Sequence, residues 1–435
     1  EILIGLVGSE MCIRDSIKTI FTIHNLKFQG TWSVDTIKGF SGLSDYYFTS
    51  DKLEAYGNGN LLKGGLVYAD RITTVSRSYA SEIRMPFYGE GLDGLLRARS
   101  KQLSGIVNGI DYNVYNPKTD KDIAVNYSVE DAIKAKAANK TALQKELGLE
   151  ENPDAFMLGI VSRLTDQKGL DLVECVLDQI CAEDVQLVVL GTGEGKYQDM
   201  FTYYSRKYPE RVSANIFYSE ALSHRIYASC DAFLMPSLFE PCGLSQLMSL
   251  RYGTLPIVRE TGGLRDTVTP YNEVDGTGTG FSFTNYNAHE MLAIIRYAKK
   301  TYFNDRKAWN EMVLRAMKQD FSWDASAREY EKLYDGLIEE EARRKEAIRL
   351  QQAREAAEAA LKEAEKALEL AKRAEEKAIR KFSGIEDEPE DEKAEISKAE
   401  EIDETPEAAQ ESEEATEVLE TPETPEKAEE TAVEE

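Results

Sequence analysis

Residues 236–246, with the sequence Pro-Ser-Leu-Phe-Glu-Pro-Cys-Gly-Leu-Ser-Gln, combine a carboxylate with a glycine turn. They follow an apolar run, residues 232–235, that predicts a buried strand, and they precede helical spacing in residues 247–252. Ligands of open α/β sheets bind beyond the carboxyl ends of the strands, where Gly243 and a helix start can present backbone N–H groups to phosphate. Glu240 stands three residues before that glycine. The combination favours group transfer from a phosphorylated donor, although a lone glutamate between two prolines fits a plain turn equally well.

A second loop supplies positive charge. Arg163 and Lys168 are five residues apart in the segment that follows the predicted strand 156–161. A guanidinium fork and an ammonium group that converge on one loop can neutralise a diphosphate leaving group. The alternative is a solvated basic pair, but the position at a strand end favours the binding role.

A third loop contains two glycines. Gly191 and Gly193 come directly after the predicted strand 185–190. Because they carry no side chain, they let the backbone approach a ligand closely. We therefore expect this loop to contact the nucleotide of the donor.

These loops depend on an alternating series of strands and helices. Apolar and β-branched runs predict the strands, and the segments between them have helical spacing. The predicted strands are residues 19–23, 70–75, 103–106, 156–161, 185–190, 212–218, 232–235 and 254–258. Such alternation predicts an α/β fold with mostly parallel sheets that are covered on both faces.

Composition excludes several classes of function. The net charge is −26, and about −20 of it comes from residues 386–435, which contain 23 acidic residues and three lysines. The rest of the chain is mildly acidic and offers no basic surface for nucleic acid. Five cysteines without any C-x-x-C spacing indicate a reducing cytoplasm rather than disulfides or a zinc site. No apolar stretch approaches 18 residues, so we expect no membrane span.

The C-terminal part changes in character. Residues 339–382 are dominated by Ala, Glu, Lys and Arg with a thin apolar seam, which fits a solvated helix and a weak coiled coil equally well. Weak self-association through residues 340–382 is therefore one expectation. From residue 383 the chain has almost no large apolar residues, so the acidic tail 383–435 is expected to be disordered.

Three segments together carry a family resemblance. Residues 236–246, 251–256 and 261–268 resemble, in order, the signature loop and the following motifs of bacterial glycogen synthases and plant starch synthases. The similarity extends from Lys18 to about Tyr334. It implies a GT-B fold, in which two Rossmann-like domains enclose the site and the C-terminal domain holds most of the donor nucleotide.

The resemblance also implies roles for individual residues. In the family, Glu240 would bind the glucosyl hydroxyls and stabilise positive charge, while Arg163 and Lys168 would neutralise the diphosphate. His24, at the end of the strand 19–23, would belong to the donor-sugar pocket, and Tyr218 would stack on adenine unless it is only a half-buried aromatic at a strand end. The remaining positions are a pocket-wall thiol and three phosphate-binding groups, namely Cys242, Gly243, Leu244 and Ser245.

The implied reaction moves glucose from ADP-glucose to the 4-hydroxyl at the non-reducing end of an α-1,4-glucan such as glycogen, with retention of configuration. Enzymes of this kind need no divalent metal or other cofactor. One alternative is another GT-B transferase that uses a UDP- or GDP-sugar, and a second is a non-catalytic nucleotide-binding fragment. An α-glucan phosphorylase is disfavoured because no context for a pyridoxal-phosphate lysine is recognisable.

One departure from the family concerns the N-terminal half. The Lys-Thr-Gly-Gly-Leu loop of the family is not found before Ile17, so we expect an incomplete N-terminal domain with an unpaired edge strand, poor folding there and little activity. The predicted organisation is a foreign segment at 1–16, a partial N-terminal domain at 17–135, a linker at 136–152, a nucleotide-sugar domain at 153–320, a return helix at 321–338, a charged helix at 339–382 and the tail at 383–435.

Overall fold

A computed structural model describes residues 17–384 of the chain. The strands are β1 Ile20–Ile23, β2 Thr31–Trp32, β3 Glu54–Ala55, β4 Asn58–Asn60, β5 Arg71–Thr74, β6 Leu103–Gly105, β7 Phe156–Val161, β8 Val185–Leu190, β9 Val212–Asn215, β10 Ala232–Met235, β11 Leu255–Arg259 and β12 Phe281–Phe283. The helices are α1 Val34–Ser41, α2 Leu61–Tyr68, α3 Arg77–Glu82, α4 Asp93–Ala98, α5 Ala132–Leu147, α6 Leu170–Ala182, α7 Gly195–Lys207, α8 Glu220–Ser229, α9 Ser245–Arg251, α10 Gly262–Thr267, α11 Ala288–Asn304, α12 Arg306–Met317 and α13 Trp323–Phe382. The foreign segment at 1–16 and nearly all of the acidic tail lie outside the described residues.

Two parallel sheets organise the described chain, as the alternating pattern predicts. The N-terminal sheet has the order β1-β5-β6, and the C-terminal sheet has the order β12-β11-β10-β7-β8-β9. A small antiparallel sheet, β2-β4-β3, accompanies the first. Within the described residues, β1 is an edge strand that pairs only with β5.

The C-terminal sheet is buried on both faces, which is why its strands are continuous apolar runs. Every residue of β8 and β10 is buried. The strand β7 pairs with β8 from Phe156 opposite Val185 onward, and it pairs with β10 at Leu158 and Gly159. Since β7 and β10 are neighbours with the same direction, the loops that follow them meet at one edge of the sheet.

Helix α5 corrects the expectation of a simple linker at 136–152. Two of its lysines are buried against the C-terminal domain instead of facing solvent. Lys136 donates to the carbonyl of Tyr227 and to the hydroxyl of Thr254, and burial lowers the pKa of its ammonium group to about 7. Lys140 forms an ion pair of 2.6 Å with Asp231. Both ammonium groups have partners inside the domain, so this helix is part of it.

Helix α13 is continuous over 60 residues, so the separate helices expected at 321–338 and 339–382 are one element. The exposed Gly336 does not break it, because glycine costs only about 1 kcal/mol in a helix interior. Its first turns contact the N-terminal domain, where the hydroxyl of Ser326 donates to the carbonyl of Val107 at 2.7 Å.

The chain divides into two compact units, residues 1–345 and 346–435. The described part of the second unit is a helix whose residues are all exposed up to Phe382. Among the residues that the structure describes, no helix is both long and apolar enough to cross a membrane.

We predict that Lys140→Met destabilises the protein by about 3–5 kcal/mol, because it leaves the buried Asp231 carboxylate without its cation. Chemical denaturation followed by circular dichroism measures the change. The matched control is Lys134→Met on the exposed face of the same helix, expected within about 0.5 kcal/mol of the parent. Equal stability of the two variants would contradict a structural role for the pair.

Candidate functional site

A cavity of about 400 Å³ lies between the two parallel sheets at the carboxyl ends of their strands. His24 follows β1, Arg163 lies in the loop after β7, and Glu240 lies in the loop after β10. The lining residues from the two domains include His24, Asn25, Val75, Asn108, Arg163, Gln167, Lys168, Ser237, Glu240, Cys242, Gly243, Leu244 and Ser245. The cavity therefore unites the cationic loop, the carboxylate loop and the histidine that the sequence singles out.

An ion pair between the partly buried Lys168 and the buried Glu240 lies in the cavity wall. The Lys168 ammonium lies 2.6 Å from Oε2 of Glu240, and the Ser237 hydroxyl donates to the same oxygen at 3.0 Å. Glu240 is only 6% exposed. Both donors use Oε2, so Oε1 has no hydrogen-bond donor among the described residues and is available to a ligand.

The backbone that carries Glu240 is held from both domains. The Ser76 hydroxyl of the N-terminal domain donates to the carbonyl of Pro241 at 2.6 Å, in a buried contact. The Gly263 N–H of the C-terminal domain donates to the carbonyl of Glu240 at 3.0 Å. The turn after these residues needs Gly243, whose φ is +71°.

The end of the cavity beyond this turn offers donors for an anion. In the described part of the chain, the N–H groups of Gly243 and Leu244 have no acceptor, and the exposed Arg163 side chain has no hydrogen-bond or ion-pair partner. The Ser245 hydroxyl lies 3.5 Å from the carbonyl of Val161, at the limit of a hydrogen bond. Helix α9 begins there but has only seven residues, so the individual N–H groups matter more than a helix dipole.

Three predicted nucleotide contacts do not line the cavity. The loop with Gly191 and Gly193 packs against the loop after β7, and a Cβ at these positions would lie 1.9 Å from the carbonyl oxygen of Ser162 and 2.2 Å from that of Leu164. Close packing of two loops is therefore a sufficient reason for both glycines. Tyr218 is 85% exposed and lies beyond β9, which ends at Asn215 instead of continuing to residue 218.

Cys242 lies in the cavity wall, where the sequence analysis expects it. The residue is 5% exposed, and burial raises the pKa of its thiol to about 12, although the Asn108 N–H at the sulfur acts in the opposite direction. A thiol with such a pKa stays protonated near neutral pH and is a poor nucleophile.

Sequence reasoning missed other residues that line the site. Ser237 fixes Glu240, and Gln167 donates to the carbonyl of Phe239 at 3.3 Å. Asn108 comes from the segment after β6. Its place after a strand of the parallel sheet was an available signal, whereas the role of Ser237 depends on a side-chain conformation that no spacing encodes.

The described residues contain one close group of side chains of the kind that hold metals, Asp120, Asp122 and His224. In this group, Nδ1 of His224 lies 2.6 Å from Oδ2 of Asp120, and the Tyr252 hydroxyl donates to the same oxygen. None of these residues lines the cavity. Hydrogen bonds among Asp120, His224 and Tyr252 account for the arrangement.

Two family comparisons cover different parts of the chain. Residues 6–98 match the family described as starch synthase catalytic domain, and residues 141–313 match glycosyl transferases group 1. The first match begins inside the segment 1–16, whose foreign origin stays a prediction. The first match contains β1 to β5 but not β6, and the second contains the whole C-terminal sheet.

Individual relatives span most of the described chain. The glycogen synthase of Lachnospira eligens is 69% identical over 321 residues, which cover 74% of this chain and 67% of that protein. The glycogen synthase of Lachnoclostridium phytofermentans is 64% identical with the same coverage. The catalytic domain of starch synthase IV from Arabidopsis thaliana, bound to ADP and acarbose, superposes with a TM-score of 0.70 at 35% identity, covering 74% of this chain and 67% of that one.

We predict that a thiol-alkylating reagent at neutral pH labels Cys175 well before Cys242. Cys175 is exposed, whereas Cys242 is buried and holds its proton. Peptide mapping by mass spectrometry after brief iodoacetamide treatment separates the two sites. Labelling of Cys242 at the rate of Cys175 would show that the thiol is accessible and ionised, contrary to its position in the wall.

Proposed function

The chain belongs to the glycogen synthase family, which has the GT-B fold. On that premise we propose which reaction its cavity catalyses. The cavity binds ADP-glucose and transfers glucose, with retention of configuration, to the 4-hydroxyl at the non-reducing end of an α-1,4-glucan. The observation that supports this most is the meeting of Arg163, Lys168 and Glu240 around one cavity lined from both domains. Cations for a leaving diphosphate and a carboxylate for the sugar are what such a transfer requires.

The diphosphate is bound by positive charge and backbone donors. Arg163 supplies a guanidinium fork that has no partner among residues 17–384, and Lys168 supplies an ammonium group. The N–H groups of Gly243 and Leu244 and the hydroxyl of Ser245 add hydrogen bonds to phosphate oxygens. These groups stabilise the charge that develops on the diphosphate as the glycosidic bond breaks.

Donor binding changes the partners of Lys168. In the described structure this ammonium group is paired with Glu240 at 2.6 Å. An ammonium group has three N–H donors, so it can turn one toward a phosphate oxygen while it keeps Glu240 in place. Oε1 of Glu240 then receives a sugar hydroxyl, and its negative charge stabilises the positive charge that develops on the glucosyl carbon. His24, at the N-terminal side of the cavity, contacts the sugar from the other domain.

The proposal that the donor carries adenine rests on similarity to a solved structure. The Arabidopsis thaliana neighbour carries ADP, and its fold superposes over most of the described chain. We propose ADP-glucose as the donor for this chain on that ground. Tyr218, with 85% of its surface exposed, is free to stack on an adenine that lies outside the cavity.

A reducing compartment suits the cysteines. Those in the described part of the chain, Cys175, Cys181, Cys230 and Cys242, are all free thiols. Persistent free thiols are typical of proteins of the cytoplasm. We propose that the transfer takes place there.

We predict opposite signatures for two substitutions in the ion pair. Glu240→Gln keeps ADP affinity within about twofold because the phosphate donors are intact, but it lowers glucosyl transfer by about 100-fold or more, as loss of a group that stabilises transition-state charge does. Lys168→Met weakens ADP binding by about tenfold or more, because a charge-assisted hydrogen bond is lost. Calorimetry with ADP and incorporation of labelled glucose from ADP-glucose into glycogen measure the two effects.

Arg206→Ala is the matched surface control, because Arg206 is exposed on α7 and makes no ion pair among the described residues. It is expected to change neither quantity. The proposal fails if Glu240→Gln transfers glucose as fast as the parent chain. A clear preference for UDP-glucose in the same assay would keep the transferase and overturn the choice of donor.

We also propose weak self-association through residues 340–382. The seam of Leu350, Leu361 and Leu368 is exposed along the second unit, and the last two are seven positions apart. Heptad spacing of this kind favours pairing of helices, but the alanines between bury little area. A second copy of the helix is the natural partner for such a seam.

We predict that sedimentation velocity detects association that rises with protein concentration and disappears in Leu361→Glu/Leu368→Glu, because charges in the seam oppose pairing. Lys362→Glu, which alters a neighbouring face of the helix, is the control and should sediment like the parent. If the parent chain sediments as a monomer at every concentration, the proposed self-association is wrong.

A further inference from the structure

Helices α3 and α10 form a contact between the two domains. Helix α3 follows β5 of the N-terminal sheet, and α10 follows β11 of the C-terminal sheet. Each has only six residues, so each depends on outside groups to satisfy the N–H donors of its first turn. Several of those groups come from the opposite helix.

Asp266, near the end of α10, caps the start of α3. Its Oδ2 accepts the N–H groups of Arg77 at 2.5 Å and Ser78 at 3.0 Å, and its Oδ1 accepts the Ser78 hydroxyl at 2.5 Å. A carboxylate at this position satisfies donors that the helix itself cannot. The cap exists only while the two domains are in contact.

Glu82, the last residue of α3, caps the start of α10 in return. Its Oε1 accepts the N–H of Gly262 at 2.8 Å, and its carboxylate also accepts the Thr261 hydroxyl at 3.2 and 3.3 Å. Burial raises the pKa of Glu82, against the effect of these hydrogen bonds and of nearby Arg259. Since each cap comes from the end of the opposite helix, the two helices must run in opposite directions.

Both capped turns touch the backbone that carries Glu240. The N–H of Gly263 donates to the carbonyl of Glu240 at 3.0 Å. A Cβ on the preceding Gly262 would lie 2.0 Å from the same carbonyl oxygen. On the other side, Ser76 caps α3 by accepting the Tyr79 N–H at 3.1 Å. Its hydroxyl also donates to the next carbonyl in the loop, so a shift of either helix start is transmitted directly to the carboxylate loop.

We propose that Glu82 and Asp266 are positioning residues that dock the two domains by reciprocal helix capping and thereby fix the loop of Glu240. Neither residue lines the cavity, and both act through the backbone at Gly262–Gly263 and at Ser76. The inference rests on the proposed transferase function for its kinetic consequence, but not for its structural one. Contact between the domains then also sets the position of the Glu240 loop.

Amide hydrogen exchange tests the reciprocity without reference to activity. Glu82→Ala removes the acceptor of the Gly262 N–H. If the two caps form in one docking event, the same substitution also raises amide exchange at Arg77 and Ser78, which Asp266 caps, by about tenfold. Asp266→Ala should in turn raise exchange at Gly262. Glu82→Gln should restore protection, because an amide oxygen can accept the same two hydrogen bonds. Increases confined to the amide next to each substitution would overturn the proposal.

Kinetics of the same variants test the positioning role. Glu82→Ala and Asp266→Ala should lower kcat by about tenfold, the scale of a lost helix cap. The Kd for ADP should change less than kcat, because two of the groups that bind the diphosphate, Arg163 and Lys168, belong to the loop after β7 rather than to the loop of Glu240, and Glu82→Gln should recover kcat. Glu174→Ala, at an exposed carboxylate of α6 without an ion pair or hydrogen bond among the described residues, is the control.

The two proposals fail in different ways. If the parent chain binds no ADP and transfers no glucose while the exchange results hold, the transferase function is wrong and the docking by reciprocal caps stands. Unchanged kcat in both alanine variants of a transferring parent, with circular dichroism confirming the fold, would remove the positioning role. Asp266→Asn, which keeps one acceptor for the α3 donors, replaces Asp266→Ala if the latter does not fold.

Discussion

The ion pair between Lys168 and Glu240 is the interaction on which the site depends. It exists because β7 and β10 are neighbouring parallel strands, so the loops after them face each other at one edge of the sheet. Burying two charges is costly unless both are paired and hydrogen bonded, and Ser237 supplies the additional donor. The pair holds both side chains in place in the wall of a cavity where each has further capacity to bind a ligand.

The second constraint is that one sheet alone cannot build the cavity. His24 and Asn108 come from the N-terminal domain, and the Ser76 hydroxyl reaches across to the carbonyl of Pro241. Reciprocal capping by Glu82 and Asp266 ties the contact between domains to the backbone of the same loop. Charge placement by the C-terminal sheet and closure by the N-terminal domain are therefore coupled through a few short hydrogen bonds.

Sequence patterns predicted the strands inside the C-terminal sheet well and its edge strand β9 less well. The runs 156–161, 185–190 and 232–235 match β7, β8 and β10 from end to end, because strands buried on both faces are uninterrupted apolar segments. The strand predicted at 212–218 stops at Asn215, since its partner β8 ends at Leu190 opposite that residue. The burial of Lys136 was also missed, because a lysine can satisfy its ammonium group with carbonyls that no local pattern reveals.

The same distinction separates the parts of the site that spacing reveals from those it does not. Glu240 and Lys168 could be singled out because side chains at strand ends converge in a parallel sheet, whereas His24 was singled out by the family resemblance, and all three line the cavity. The glycines at 262 and 263 have a different cause: a Cβ there would collide with the carbonyl oxygens of Glu240 and Cys242, so they are required by loop packing. Caps whose donor and acceptor lie on different domains depend on docking, and docking is set by the whole surface. The residues that align a site are therefore harder to read from a sequence than the residues that perform its chemistry.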